Sequence, residues 1–132
     1  MATRAPCGSW ASALSAERVA GASLKLGQIA LAGDAICWSE GRPQEEGRNV
    51  LVRAGADGAL LDLTPAPWNV RSRVHEYGGG AFTVGAEAVY FCHFDDQRLY
   101  RLDASGAVTA LTAGAGMRYA DATPDAARRR LV

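Results

Sequence analysis

The chain has 132 residues, and its 14 lysine and arginine residues are balanced by 14 aspartate and glutamate residues. This balance leaves no basic excess to neutralise phosphates, which excludes a nucleic-acid partner recognised through bulk charge. No stretch approaches the roughly 20 apolar residues of a membrane span, and the N-terminus lacks the continuous apolar segment of a secretory signal. We therefore expect no membrane association and a cytoplasmic location.

The first 22 residues lack the alternation of short apolar runs and turn residues that is seen in the rest of the chain, and they are interpreted as an N-terminal leader. Ser15 is placed to cap a short helix over residues 16–19, because a serine side chain at this position accepts a hydrogen bond from a free backbone N–H group of the first turn. Gly21 would end the helix. The leader is therefore predicted to contain one or two helical turns.

From residue 23 onward, short apolar runs alternate with Gly, Asp, Asn and Pro. A first set of runs occupies residues 28–31, 35–39, 49–53 and 59–63. A second set occupies residues 81–84, 88–92, 98–102 and 107–111. No segment holds a 3.6-residue period over three turns, and Asp57-Gly58 is a strong hairpin signal. The pattern predicts an all-β chain of antiparallel meanders.

The two sets of runs are related by an offset of 48 residues in their later strands, while residues 35–38 match residues 88–91 at an offset of 53. The segments Leu51-Val52-Arg53 and Leu63-Thr64 recur 48 residues later as Leu99-Tyr100-Arg101 and Leu111-Thr112. Four short strands that repeat every ~40–50 residues are typical of β-propeller blades. We predict an incomplete propeller over residues 23–132, with blades at 24–66 and 78–113 and the start of a third at 117–132, its turn at 123–125. Chance hairpins in a sandwich or barrel are the alternative.

Several segments point to one family. The most specific is VHEYGGG at residues 74–80, and DQRLYR at 96–101 supports it, together with GSW at 8–10 and WSEGRP at 38–43. Over nearly its whole length the chain resembles the N-terminal β-propeller part of bacterial serine peptidases of the prolyl oligopeptidase family. The relevant branch is the one of dipeptidyl aminopeptidases and acylaminoacyl-peptidases.

The resemblance implies a propeller followed by an α/β-hydrolase domain, whose Ser-Asp-His triad has its serine on a G-x-S-x-G turn. No G-x-S-x-G occurs here, so the chain holds no catalytic residues and is expected to be inactive alone. It would gate access of short peptides to the active site. Its partners would be the C-terminal hydrolase domain of the same protein and those peptides. A non-catalytic TolB-type propeller for protein–protein binding is the alternative.

The resemblance also suggests candidates for the substrate channel, namely Arg71, Arg73, His75, Glu76 and Tyr77. The two arginines share a face if this stretch is extended, where they would attract peptide carboxylates. Salt bridges between blades are the alternative. Glu76 could pair with a substrate amine. In the structural alternative, Tyr77 packs inside while His75 and Glu76 satisfy neighbouring backbone groups.

The next three residues, Gly78, Gly79 and Gly80, are predicted to be structural, because glycine allows close backbone approach or positive φ. A zinc motif is not formed, since H-E-x-x-H would need a second histidine where Gly79 stands. The three cysteines are far apart and show no metal-ligand spacing with histidine. We therefore predict no metal and no cofactor.

Two further expectations concern side chains of the strands. Trp38 aligns with Phe91 in the repeat, so both are predicted in the core between blades. Residues 95–96 are adjacent acids in a turn and are expected to cap backbone amides or lie in solvent. Ion pairs from Arg98 and Arg101 to these acids are also expected. The isolated chain is predicted to self-associate, because the partial third blade that stops at Val132 leaves an unpaired strand edge and an uncovered apolar face.

Overall fold

The computed structural model describes residues 4–9, 12–16, 18, 23–114 and 116–132. Nearly all regular structure in these residues is β. The first sheet contains β1 (Lys25–Ala32), β2 (Ala35–Arg42), β3 (Arg48–Ala54) and β4 (Leu60–Asp62). The second sheet contains β5 (Phe82–Val84), β6 (Ala88–Cys92), β7 (Leu99–Asp103) and β8 (Val108–Ala110). Both sheets are antiparallel and keep the chain order of their strands. The predicted all-β meanders are confirmed.

The remaining elements are short. A hairpin of β9 (Pro124–Asp125) and β10 (Arg130–Leu131) follows the second sheet, and 3-10 turns cover Pro43–Glu45, Val74–Glu76 and Ala126–Arg128. Ser15 Oγ accepts a hydrogen bond from the Arg18 N–H at 3.1 Å. Of the helix predicted over residues 16–19, residues 17 and 19 lie outside the described residues, and so does Gly21, which was predicted to end it. Within the described part of the chain, no helix is long and apolar enough to cross a membrane.

The 48-residue repeat is visible in matching hydrogen bonds. The Leu51 N–H donates to Thr64 Oγ1 at 2.8 Å, and the equivalent Leu99 N–H donates to Thr112 Oγ1 at 3.1 Å. In both sheets the threonine follows the last strand and satisfies an N–H group of the third strand that the short partner strand does not reach. The predicted repeat is thereby confirmed in the register as well as in the sequence.

The two sheets pack face to face around one apolar core, with the inner strands β1 and β5 adjacent. Its buried members are Cys37, Leu51, Val70, Phe82, Phe91, Tyr100 and Leu102. The prediction for Phe91 is confirmed, since its side chain is fully buried. The prediction for Trp38 is wrong. Side chains alternate along a strand, so Trp38 points away from the core that its neighbour Cys37 enters, and its Nε1–H donates to Glu40 Oε1 at 2.9 Å.

A different tryptophan takes the core position. Trp68, in the connection between the sheets, packs against this core. Its ring lies edge-on to Phe91, Tyr100 and His93, with centroid distances of 5.6, 4.9 and 5.0 Å. Aromatic pairs in this edge-on arrangement add to the stabilisation from burial alone. The connection between the sheets is therefore part of the core as well as a link.

The terminal hairpin differs from the prediction in the position of its turn. Residues 124–125 form a strand rather than a turn, and the chain reverses at residues 126–129. Asp125 determines this position, because its side chain accepts the N–H of Arg128 at 3.1 Å and pairs with Arg128 and Arg130. Arg129 has a left-handed φ of 50° and completes the reversal.

Apolar side chains are exposed on the face of the first sheet that is turned away from the second. Ile29 and Leu31 alternate with Ala30 and Ala32, which pack on the core, and they are 68% and 73% exposed. We call this surface the outer face of the first sheet and include Ile36, which pairs with Leu31. Exposed apolar surface is thus present on the first sheet, at a different place from the terminal partial blade on which the prediction was based.

Candidate functional site

The candidate residues lie where the connection between the sheets passes the β6–β7 loop. Val70 forms an antiparallel bridge with His93. The Arg71 N–H donates to the Cys92 carbonyl at 3.1 Å, and the Phe94 N–H donates to the Asn69 carbonyl at 2.8 Å. These bonds hold residues 69–71 in an extended conformation beside the end of β6.

Arg71 and Arg73 contact the same aromatic ring. Their guanidinium carbons lie 5.0 and 5.2 Å from the centroid of the Phe94 ring, which is the range of cation–π attraction. The salt bridges considered as the alternative are not formed: no carboxylate of the described residues lies within 4.0 Å of either guanidinium. Both charges therefore face solvent beside one ring.

Gln97 joins the arginine segment to the Phe94 loop. Its Oε1 accepts the Arg73 N–H at 2.7 Å, and its Nε2–H donates to the Phe94 carbonyl at 2.7 Å. The side chain is only 4% exposed, and the residue has a left-handed φ of 58°. A non-glycine residue in this conformation is strained, so the two hydrogen bonds hold Gln97 where its backbone would not place it alone.

The acidic residues of the β6–β7 loop contact groups within the loop and at the start of β7. Asp96 accepts the Arg98 N–H at 3.0 Å and the Tyr100 hydroxyl at 2.5 Å, so the expected capping role is confirmed. The expected ion pairs are not formed among the described residues. Arg98 Nε–H donates to the Thr112 carbonyl at 2.7 Å, and Arg101 lies 3.5 Å from Asp103.

His93 has a structural place in the same loop. Its Nδ1 accepts the Asn69 N–H at 3.2 Å, so this nitrogen carries no proton. Its Nε2 lies 3.5 Å from Asp95 Oδ2. The ring is mostly buried against Trp68 and Tyr100, which orients the loop that carries Phe94.

Residues 74–77 project from the site. His75 and Glu76 have left-handed φ values of 53° and 62°, a conformation that costs roughly 1 kcal/mol for each residue that is not glycine. Glu76 forms an ion pair with Arg118, whose Nη1–H also donates to the Arg73 carbonyl at 2.9 Å. Hydrogen bonding and charge from Arg118 hold the pKa of Glu76 below its usual range. Arg118 thus holds the strained segment to the body of the protein.

The side chain of Tyr77 is exposed, whereas the three glycines that follow it occupy backbone positions that do not readily accept a larger residue. The structural alternative, in which Tyr77 packs inside, is wrong, since the side chain is 98% exposed. Gly78 has a φ of 90°, and a Cβ on Gly79 would lie 2.7 Å from the Ala120 Cβ. A Cβ on Gly80 would lie 2.6 Å from the Asp121 carboxylate, which accepts the Gly80 N–H at 2.8 Å.

These glycines therefore allow the segment before β9 to lie directly on the connection between the sheets. The contact is reciprocal, because the Asp121 N–H donates to the Gly80 carbonyl at 2.8 Å. Ser72 adds a third contact, as its hydroxyl donates to the Tyr119 carbonyl at 2.6 Å. The chain around residues 119–121 is thus fixed against the site by polar contacts.

The five residues proposed from the sequence all lie on this exposed connection, but sequence reasoning missed three side chains that organise it. These are Phe94, Gln97 and Arg118. The last is 42 residues from its partner Glu76, and no local pattern signals such a pair. In the parts of the chain that the structure describes, no group of three or more potential ligands could hold a metal ion.

A cleft of about 890 Å³ opens between the sheets near the β1–β2, β5–β6 and β7–β8 turns. Ala32, Leu61, Val84 and Val89 line it, with Arg53 and Asp103. The candidate site lies at the β6–β7 turn instead, which an antiparallel meander places at the other end of the strands. The cleft and the site are therefore separate.

Comparison with known proteins gives a consistent result. No family model and no curated protein matches the chain. Among solved structures, a Mycobacterium tuberculosis puromycin-hydrolysing peptidase is 42% identical, with a TM-score of 0.77, over 90% of this chain and 20% of that one. A puromycin hydrolase is 38% identical, with a TM-score of 0.76, over 96% of this chain and 21% of that one.

A third match is the S511A mutant of puromycin hydrolase in complex with PGG, which is 39% identical with a TM-score of 0.80. It covers 94% of this chain and 21% of that one. The resemblance to peptidases of the prolyl oligopeptidase family is thereby confirmed. The chain spans about one fifth of the length of the peptidases it matches.

Proposed function

We propose that this chain is a substrate-gating β-propeller segment of a serine peptidase that cleaves short peptides. The observation that carries the proposal is the 42% identity to a puromycin-hydrolysing peptidase over 90% of this chain. Since the match covers one fifth of that peptidase, a catalytic α/β-hydrolase domain would lie in sequence outside this chain. The protein is expected in the cytoplasm, which cell fractionation would check.

The architecture supports the propeller part of this proposal. Each sheet is a four-stranded meander in chain order, and the two stack through a shared core with their first strands adjacent. This is how neighbouring propeller blades bury apolar faces that a single blade leaves open. The sheets would be the first two blades, and the hairpin at residues 124–131 would belong to a third.

The exposed connection between the sheets supports the gating part. Arg71, Arg73, His75, Glu76 and Tyr77 lie together on it, and each is exposed. Charged and aromatic groups held on a firm backbone can orient a peptide, while the folded blades exclude larger substrates. In this proposal the chain contributes selection and orientation, and the hydrolase domain contributes the acyl-enzyme chemistry.

The test begins with the longer reading frame. A G-x-S-x-G motif with downstream Asp and His residues is expected after residue 132, and the encoded protein should hydrolyse short peptide amides or puromycin. Replacing its motif serine with alanine should abolish hydrolysis, and residues 1–132 alone should show none. Further blades without a hydrolase signature would overturn the proposal in favour of a non-catalytic TolB-type propeller, and so would an intact protein without peptidase activity.

A further inference from the structure

We infer that Arg71, Arg73 and Phe94 form a binding site for the C-terminal carboxylate of a short peptide. The inference deepens the proposed function, from which it takes the peptide as the ligand. It depends on the charges of this surface and on how firmly the structure positions them, and each of these is visible in the described residues.

The first argument is charge. Arg71 and Arg73 have no carboxylate partner among the ion pairs of residues 4–9, 12–16, 18, 23–114 and 116–132. Nor does either guanidinium donate a hydrogen bond within those residues, although the backbone of both is bonded. Two guanidinium groups beside one ring therefore leave N–H donors without protein acceptors, and an anion is the group that satisfies them.

The second argument is that these donors are held in place before a ligand arrives. Both guanidinium groups lie over the Phe94 ring, a position favoured by cation–π attraction that uses none of their N–H donors. The Arg71 N–H is bonded to Cys92, and the Arg73 N–H is bonded to Gln97. Less conformational freedom is then lost on binding, which strengthens the bond to a carboxylate.

The third argument is that the neighbouring acid is already occupied. Glu76 is paired with Arg118, so it does not present a free carboxylate to the amino group of a peptide. Asp95, the acid next to Phe94, lies 3.5 Å from His93, so the Arg71 and Arg73 guanidinium groups at the Phe94 ring leave an excess of positive charge that no carboxylate among the described residues neutralises by contact. This excess selects the carboxylate end of a short peptide over its ammonium end.

The partly exposed ring and the neighbouring tyrosine favour a peptide over a small free anion. Phe94 is half-buried, and Tyr77, which follows Arg73 by four residues, is 98% exposed. Aromatic side chains at such positions contact apolar groups at little cost in conformational entropy. A peptide that ends in an apolar residue can place its carboxylate on the arginines and its last side chain against these rings.

The test measures binding to the longest soluble protein that contains residues 1–132, with any catalytic serine replaced by alanine. Isothermal titration compares Gly-Gly-Leu with its C-terminal amide, with acetyl-Gly-Gly-Leu, and with acetate and inorganic phosphate. The free acid and its acetylated form should bind alike and about tenfold tighter than the amide, because a charge-assisted bond is lost in the amide. Acetate and phosphate should bind more weakly than the peptide acid.

Substitutions then show which side chains cause the preference for the peptide acid over its amide. R71Q and R73Q should each reduce the preference for acid over amide to about twofold or less, and R71K should retain part of it because the charge stays while the fork geometry is lost. R53Q is the matched control and should leave the preference unchanged, because Arg53 is an exposed arginine that lines the separate cleft between the sheets. Melting temperatures should stay equal in all variants, which separates binding from folding.

Several outcomes would overturn the inference. They are the absence of peptide binding, an amide that binds as well as the acid, equal binding of acetate or phosphate, and a preference that survives R71Q and R73Q. The proposed function fails separately, on the absence of peptide hydrolysis. Carboxylate-selective binding without hydrolysis would therefore preserve the inference and reject the peptidase, whereas hydrolysis without this selectivity would do the reverse.

Discussion

Gln97→Met should weaken both the fold and the candidate site. Methionine has nearly the length and volume of glutamine but forms neither hydrogen bond of the native side chain. The change removes the acceptor for the Arg73 N–H and the donor to the Phe94 carbonyl, each at 2.7 Å. The left-handed backbone at position 97 is equally unfavourable for both residues, so it does not enter the difference.

The size of the effect follows from burial. Gln97 is 4% exposed, so water does not readily replace its side chain, and a buried polar group left without a partner costs about 1–3 kcal/mol. Phe94 is only half-buried, so we expect the loss of the hydrogen bond to its carbonyl to cost less than the full penalty for a buried group. We expect a total loss of about 2–4 kcal/mol in the free energy of unfolding. At roughly 4 °C per kcal/mol, the melting temperature should fall by roughly 8–16 °C.

Thermal unfolding followed by circular dichroism measures this loss, and amide exchange at Arg73 gives a local measure. Gln44→Met is the matched control, since Gln44 is exposed in a short 3-10 turn and its replacement should change stability by less than about 0.5 kcal/mol. Below melting, the acid-over-amide preference in peptide binding should also fall. A Gln97→Met protein as stable as the control, or equally protected at Arg73, would refute the positioning role of Gln97.

Three other predictions follow from the fold. Thr64→Val should cost about 1–3 kcal/mol in chemical denaturation, because it leaves the buried Leu51 N–H group without an acceptor. The repeat-equivalent and more exposed Thr112→Val should cost less than about 1 kcal/mol. Equal losses would contradict this. Gly80→Ala should increase amide exchange across residues 119–121 because the new Cβ meets Asp121, while Gly41→Ala, with contacts no closer than 3.4 Å, should not. Residues 1–132 should self-associate in sedimentation, and Leu31→Lys on the outer face of the first sheet should reduce this; unchanged association would place the contact elsewhere.

Strand content and repeat could be predicted from the sequence because they depend on local patterns. Apolar runs of three to five residues separated by turn residues determine where strands begin and end, and the offset of 48 residues reappears in the Leu51–Thr64 and Leu99–Thr112 hydrogen bonds. The terminal turn was predicted a few residues too early, since Thr-Pro-Asp is itself a turn signal. Only the capping contact of Asp125 shows where the chain reverses.

The face on which a side chain lies was harder to predict. Repeat alignment placed Trp38 beside Phe91 in the core, but the register of β2 puts Cys37 there and turns Trp38 outward. Trp68, which lies outside both repeats, supplies the aromatic ring instead. One residue of register reverses every side chain of a strand, so sequence alignment alone leaves this choice open.

By itself, the sequence determined the balanced charge, the two repeated meanders, the family resemblance and the stretch from Arg71 to Gly80 as a candidate site. Each of these is a property of composition or of neighbouring residues. Only the tertiary structure decided what that stretch is: two arginines on the Phe94 ring, an acid already paired with Arg118, and glycines pressed against residues 120–121. Those partners lie 21 to 42 residues away along the chain, and folding alone brings them into contact.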